Sequence, residues 1–148
     1  MDPNPVATLP FLINLDLRLN QITSMNSLNR KPPEGEDTVF WPRLQNVYLS
    51  SNLIEKVTQI GCPNLIMLDI SNNKIIQIAE GTPDAFTGHD NIQILDLSGN
   101  QLRSLTTLTN MKKLRKVYLT GNKILKFHGF NDCEELEEIN MRDNQVFF

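Results

Sequence analysis

Aliphatic residues along this chain fall on a fixed stencil. They take the first, fourth, sixth and eleventh places of an eleven-residue phrase, with asparagine at the ninth. Residues 44–54 read LQNVYLSSNLI and residues 114–124 read LRKVYLTGNKI. Written L-x-x-L-x-L-x-x-N-x-L, with other aliphatics or Met allowed at the L places, the phrase also fits 12–22, 65–75, 92–102 and 136–146. Its asparagines, Asn20, Asn52, Asn73, Asn100, Asn122 and Asn144, are spaced by 32, 21, 27, 22 and 22 residues, so a unit of about 22 residues with two insertions explains every gap. Alternation around the fourth place predicts a short strand with one buried side chain and two facing outward. Between phrases the apolar period changes to three. Leu102, Leu105, Leu108, Met111 and Leu114 form one such run, and Ile124, Phe127, Phe130, Cys133 and Leu136 the next. That period predicts 3₁₀ or tight helical turns with one apolar edge inward.

The asparagines have a structural explanation. Where stacked turns leave the strand, backbone N–H and C=O groups face inward, and one side-chain amide can donate and accept at once. All six are therefore expected to brace the core rather than bind a ligand.

Six phrases with one internal spacing resemble the leucine-rich repeat family, and the resemblance spans residues 9–146. The short unit with an outer period of three resembles the intracellular class typified by the leucine-rich regulator of protein phosphatase 1. The resemblance implies an α/β leucine-rich repeat solenoid, a right-handed curve of six repeats. Parallel strands would line its concave face and 3₁₀ or short helical turns its convex face. The chain is then one leucine-rich repeat domain, 1–148, with repeats starting near 12, 44, 65, 92, 114 and 136 and insertions at 29–42 and 79–91. Phe86 is expected to plug the second insertion onto the core. No terminal cap is evident, which fits either a fragment of a longer protein or ends covered by partners, with Phe147 and Phe148 as the exposed bait. VYLTGNKILKFHGF followed by LEEINMRDNQV is also similar to consecutive repeats of the leucine-rich radial-spoke proteins of ciliary axonemes. That likeness implies a structural adaptor in a large assembly, whereas the first implies a regulatory subunit of a phosphatase.

Composition narrows the classes. A net charge of -3 and a pI near 5.3 give no general attraction to nucleic acid or an anionic membrane surface. No apolar run could span a bilayer, and MDPNPVATLP lacks the basic and apolar regions of a signal peptide. The expected setting is cytoplasmic, or the axoneme if the second likeness holds. Cys62 and Cys133 occupy equivalent slots three repeats apart, roughly 14 Å at the usual strand spacing, too far for a disulfide. Both are expected as buried free thiols. His89 shares that slot beside Cys62, but no further ligand follows at usable spacing, so neither metal nor cofactor is expected. Lys112, Lys113, Arg115 and Lys116 align with Glu134, Glu135, Glu137 and Glu138 one repeat on, so the basic run should pair laterally rather than hold phosphate.

Function is expected on the strand places left facing outward. One column reads Asn14, Asn46, Met67, Ile94, Lys116, Glu138, and the other Asp16, Tyr48, Asp69, Asp96, Tyr118, Asn140. Tyr48, Met67, Asp69, Ile94, Asp96, Lys116 and Tyr118 are the candidate partner-binding residues, an apolar middle with aromatic flanks and a charged rim. Six strands make a face about 24 Å long, the length of a helix of about 16 residues. The expected function is a non-enzymatic scaffold or adaptor that binds other proteins and no small-molecule substrate. The opposing class is an enzyme using Asp69 and Asp96. It is disfavoured because an open face cannot exclude water and no nucleophile, base or phosphate-cradling loop accompanies the pair.

Overall fold

The computed structural model describes residues 9–28, 41–58, 60–78, 86, 90–106 and 108–147. Each repeat contributes one strand of three residues. These are β1 (Asn14–Asp16), β2 (Asn46–Tyr48), β4 (Met67–Asp69), β6 (Ile94–Asp96), β7 (Lys116–Tyr118) and β8 (Glu138–Asn140). They form one parallel sheet in the order β1-β2-β4-β6-β7-β8, so the stacking follows the chain. Register is strict: Leu15, Val47, Leu68, Leu95, Val117 and Ile139 pair in sequence down the sheet.

The stencil explains the core. Leu44, Leu65, Ile92 and Leu114 from its first place, and Leu49, Ile70, Leu97 and Leu119 from its sixth, are all buried. Removing each such side chain from water is worth roughly 1.5–3 kcal/mol. The same places in the outermost repeats, Leu12, Leu17, Leu136 and Met141, are only partly buried against that core. Phe86 is buried as expected, and Trp41 packs partly buried at the other insertion. The centre of the first insertion, His89 and Phe148 lie outside the described residues.

The outer wall differs in part from the sequence expectation. Among the described residues it holds one 3₁₀ turn, Asn26–Leu28, and a two-strand parallel ladder of β3 (Lys56–Val57) and β5 (Gln77–Ile78). Val57 and Ile78 are buried while Lys56 and Gln77 are exposed. A β-branched residue beside a polar one suits a pleated strand better than a tight turn. The run Leu102, Leu105, Leu108, Met111 is buried throughout, but Phe127 in the following repeat is 53% exposed. Its ring leans on Phe130, with centroids 6.2 Å apart, rather than entering the core.

Four asparagines are buried as expected, Asn52, Asn73, Asn100 and Asn122. The Asn100 amide donates to Ile70 O, Leu97 O and Ser98 O at 3.0, 3.0 and 3.2 Å, and its Oδ1 accepts from Ile75 N at 3.0 Å. One side chain thus ties its own repeat to the one before. Asn20 departs from the expectation: it is exposed and bonds only its own turn, to Leu17 O and Arg18 O. No earlier described repeat offers it backbone to brace. Asn144 is intermediate, and its amide still reaches back to Leu119 O at 2.8 Å.

A second ladder runs beside the first. The eighth stencil place has a left-handed backbone in every repeat, at Leu19, Ser51, Asn72, Gly99, Gly121 and Asp143, with φ between 51 and 69°. That turn aims its N–H at the next repeat, giving Ser51 N to Ser71 O at 3.0 Å, Asn72 N to Ser98 O at 2.7 Å and Gly99 N to Thr120 O at 2.7 Å.

Candidate functional site

The two outward columns are assembled by the strand register. Asn46, Met67, Ile94 and Lys116 are consecutive partners in one, and Tyr48, Asp69, Asp96 and Tyr118 in the other. All of these residues are of intermediate exposure, so each presents a side chain to solvent from a backbone locked in the sheet. Met67 and Ile94 stand side by side at the middle, and each tyrosine is the neighbour of an aspartate.

The flanks of this face are closed by its own side chains. At one end Arg18 grips Asp16 with three bonds, Nε to Oδ1 and Oδ2 at 2.9 and 3.1 Å and Nη2 to Oδ2 at 2.6 Å, and its guanidinium lies 5.5 Å from the Tyr48 ring centroid. The Arg18 side-chain bonds hold the Asp16 carboxyl below the usual carboxylate range. Beside them the Asn46 amide donates to Asn14 Oδ1 at 2.7 Å. At the other end Lys116 lies 3.4 Å from Glu138, and Arg115 bonds Glu137 at 2.7 Å. Two of the four expected lateral charge pairs therefore form. Lys113 instead donates to Asn91 Oδ1 at 2.8 Å, because Asn91 in the preceding repeat lies within its reach.

The middle repeats are arranged differently. Asp69 Oδ1 accepts from Ser71 N at 3.0 Å and Ser71 Oγ at 2.7 Å, and Asp96 Oδ1 accepts from Ser98 N at 2.9 Å. Each carboxylate caps the turn after its own strand. Neither forms an ion pair among the described residues. The two aspartates are register neighbours on an open face, as the sequence expects, and their bonding partners belong to the turns that follow, two backbone N–H groups and the Ser71 hydroxyl.

One row was missed. The second stencil place, Ile13, Gln45, Ile66 and Gln93, lines a shallow groove of about 430 Å³ beside the Met67 row, bordered by Pro42, Arg43, Asn64 and Asn91. The signal lay in the sequence, since Ile13 and Ile66 are apolar at a place the stencil leaves free. Asn64 and Asn91 fasten the groove wall by donating to Pro42 O and Pro63 O, one repeat back, at 2.7 and 2.9 Å.

Cys62 is buried and Cys133 only partly, and both are free thiols. Burial pushes the Cys62 thiol up to about 12. Among the described residues there is no group of three His, Cys, Asp or Glu side chains placed to hold a metal. Nor is any helix there long and apolar enough to cross a membrane.

Known proteins share this architecture. The septation initiation network scaffold protein cdc11 of Schizosaccharomyces pombe is 27% identical over 133 residues, covering 85% of this chain and 12% of that protein. Leucine-rich repeat-containing G-protein coupled receptor 4 of Xenopus tropicalis is 29% identical over 146 residues, covering 97% of this chain and 14% of the receptor. The chain thus spans a small part of the length of these relatives. Among solved structures, a chain of the Drosophila melanogaster SNF/U2A′ complex superposes with a TM-score of 0.51 and 26% identity, covering 75% of this chain and 59% of its own. Internalin C2 of Listeria monocytogenes gives a TM-score of 0.54 at 23% identity, with 93% and 64% covered, a likeness of fold. Proteins of this architecture are generally interaction scaffolds and typically not enzymes. The model of the leucine rich repeat matches residues 42–102 and 82–124, more than half of the sequence, and the chain belongs to the leucine-rich repeat family.

Proposed function

We propose that this chain is a protein-interaction scaffold that docks a segment of another protein across its strand face. Tyr48, Met67, Asp69, Ile94, Asp96, Lys116 and Tyr118 make the contact. The whole chain acts as one domain in that role. The observation that carries this reading is the contrast along the face. Its flanks are bonded to themselves, while the middle presents Met67 and Ile94 in register, held at fixed spacing between two tyrosines. An apolar centre with aromatic neighbours on a rigid sheet binds without paying much ordering entropy. Membership of a larger assembly, such as an axoneme, is the narrower form of the proposal. The scaffold role named for the fission-yeast relative supports the assembly part of it.

The test is affinity capture from ciliated and non-ciliated cells, comparing wild type with Tyr48→Ala/Tyr118→Ala and with Met67→Glu. The same partners should drop out with all variants while the circular dichroism spectrum is unchanged. Truncating a central aromatic anchor should weaken a purified pair by about 2 kcal/mol. Capture that is indifferent to all three changes would move the site to the insertion loops or the ends and end this reading. A partner recovered only from ciliated cells would favour the axonemal form.

A further inference from the structure

The strand face contains the same two-residue arrangement twice. Asp16 and Tyr48 are register neighbours across β1 and β2, and Asp96 and Tyr118 are register neighbours across β6 and β7. In both, the aspartate Oδ1 accepts the backbone N–H two residues on, from Arg18 at 3.1 Å and from Ser98 at 2.9 Å. The turn is therefore the same, and residue eighteen and residue ninety-eight occupy the same stencil place. The first pair is closed by Arg18, whose guanidinium bonds both carboxylate oxygens and lies over the Tyr48 ring. The second has only the short Ser98 hydroxyl at that place, and no described residue bonds Asp96 Oδ2. The nearest cation of the outward columns, Lys116, is committed to Glu138. Asp96 forms no ion pair among the described residues.

We infer that Asp96 and Tyr118 are the receptor for an arginine side chain carried by the docked segment, which fills them as Arg18 fills Asp16 and Tyr48. A guanidinium suits this geometry better than an ammonium. Its planar fork meets both carboxylate oxygens and its flat face lies on a phenol ring at once. Met67 and Ile94, one column away, take an aliphatic residue of the same segment. The partner chemistry is thus an arginine beside an aliphatic side chain. This inference rests on the strand-face reading above and adds the identity of the recognised group.

The experiment is an NMR titration of the purified chain with N-acetyl-arginine amide, and with the matching citrulline derivative, which keeps the shape and loses the charge. The arginine derivative should move the Tyr118 ring and Ser98 amide resonances in a saturable way at millimolar concentrations. Citrulline should bind at least about tenfold more weakly, as should arginine to Asp96→Asn. Ser98→Arg supplies the guanidinium from within. It should shift the Tyr118 ring without ligand and abolish the response to added arginine derivative. The fold should accept that change, since Arg18 and Arg142 stand at the same place in other repeats. A Tyr118 ring that stays unmoved up to tens of millimolar, or that responds equally to citrulline or in Asp96→Asn, overturns the receptor. In that event, loss of partner capture by Met67→Glu would leave the strand-face reading standing. A good arginine response with capture indifferent to Met67→Glu would overturn docking on the face and reduce the pair to a guanidinium site without a docked segment.

Discussion

At the scale of single residues, identical letters do different work according to the repeats stacked on them. Asn100 and Asn20 occupy the same stencil place. Yet Asn100 serves one backbone donor and three carbonyls while buried, and Asn20 serves two carbonyls while exposed. Asn100→Ala strands buried groups at roughly 1–3 kcal/mol each. It should therefore lower urea stability by at least about 2 kcal/mol, with Asn20→Ala costing well under about 1 kcal/mol. Equal losses from the two would refute the brace. The cysteines divide in the same way. Cys62 is buried with its thiol pushed from 9.0 to about 12, whereas Cys133 is half-exposed and shifted in the same direction by burial. Thiolate is the reactive form, so iodoacetamide should label Cys133 well before Cys62 in the folded chain. Because the folded state raises the Cys62 value, its contribution to stability is intact below pH 9.0 and is lost as pH climbs toward 12. Urea titrations above pH 9.0 should show wild type weakening more than Cys62→Val.

At the scale of elements, the three-residue strands are too short to be stable alone and depend on the turns that carry the chain out of them. The left-handed place after each strand directs the backbone so that its N–H reaches the neighbouring repeat. Glycine occupies it in two repeats, but Leu19, Ser51, Asn72 and Asp143 adopt it too, at a cost of about 1 kcal/mol apiece. Without a common residue type, that place was invisible in the sequence. Gly129 is a stricter case. Its φ is 122°, and a Cβ there would lie 2.4 Å from Leu105 O, a backbone atom that cannot swing aside. Gly129→Ala should cost roughly 1–3 kcal/mol, seen as a fall in thermal midpoint. An unchanged midpoint would mean that this stretch of the outer wall is free to move.

At the scale of the whole molecule, each repeat touches only its neighbours, so stability should add up along the stack rather than arise from one centre. The inner repeats bury their stencil leucines completely, and the outermost ones only partly. In the 148-residue chain, amide exchange should therefore be slowest around Ile70, Leu97 and Leu119 and faster toward Leu17 and Met141. Uniform protection would point to one cooperative unit instead. The same one-dimensional order sets the charge pattern. Arg115–Glu137 and Lys116–Glu138 join successive repeats at exposed positions, where such pairs help define the stacking more than they stabilise it.

The stencil by itself determined the repeat spacing, the buried columns and the two outward rows; the parallel stack was implied by the family resemblance and is seen in the sheet order. A unit copied six times fixes neighbours through spacing alone, and period two at the strand separates inside from outside. Phe86 was legible as an apolar residue that had to find the core. Only the tertiary structure decided how the outward rows divide. Whether Asp16 or Asp96 is neutralised depends on whether a long side chain at the seventh place folds back across the sheet, which spacing does not encode. The outer wall likewise took a strand ladder at Val57 and Ile78, because β-branched pairs in adjacent repeats could bond each other once stacked. Local pattern specifies which face is free; contact between repeats specifies which of its residues are still free to bind.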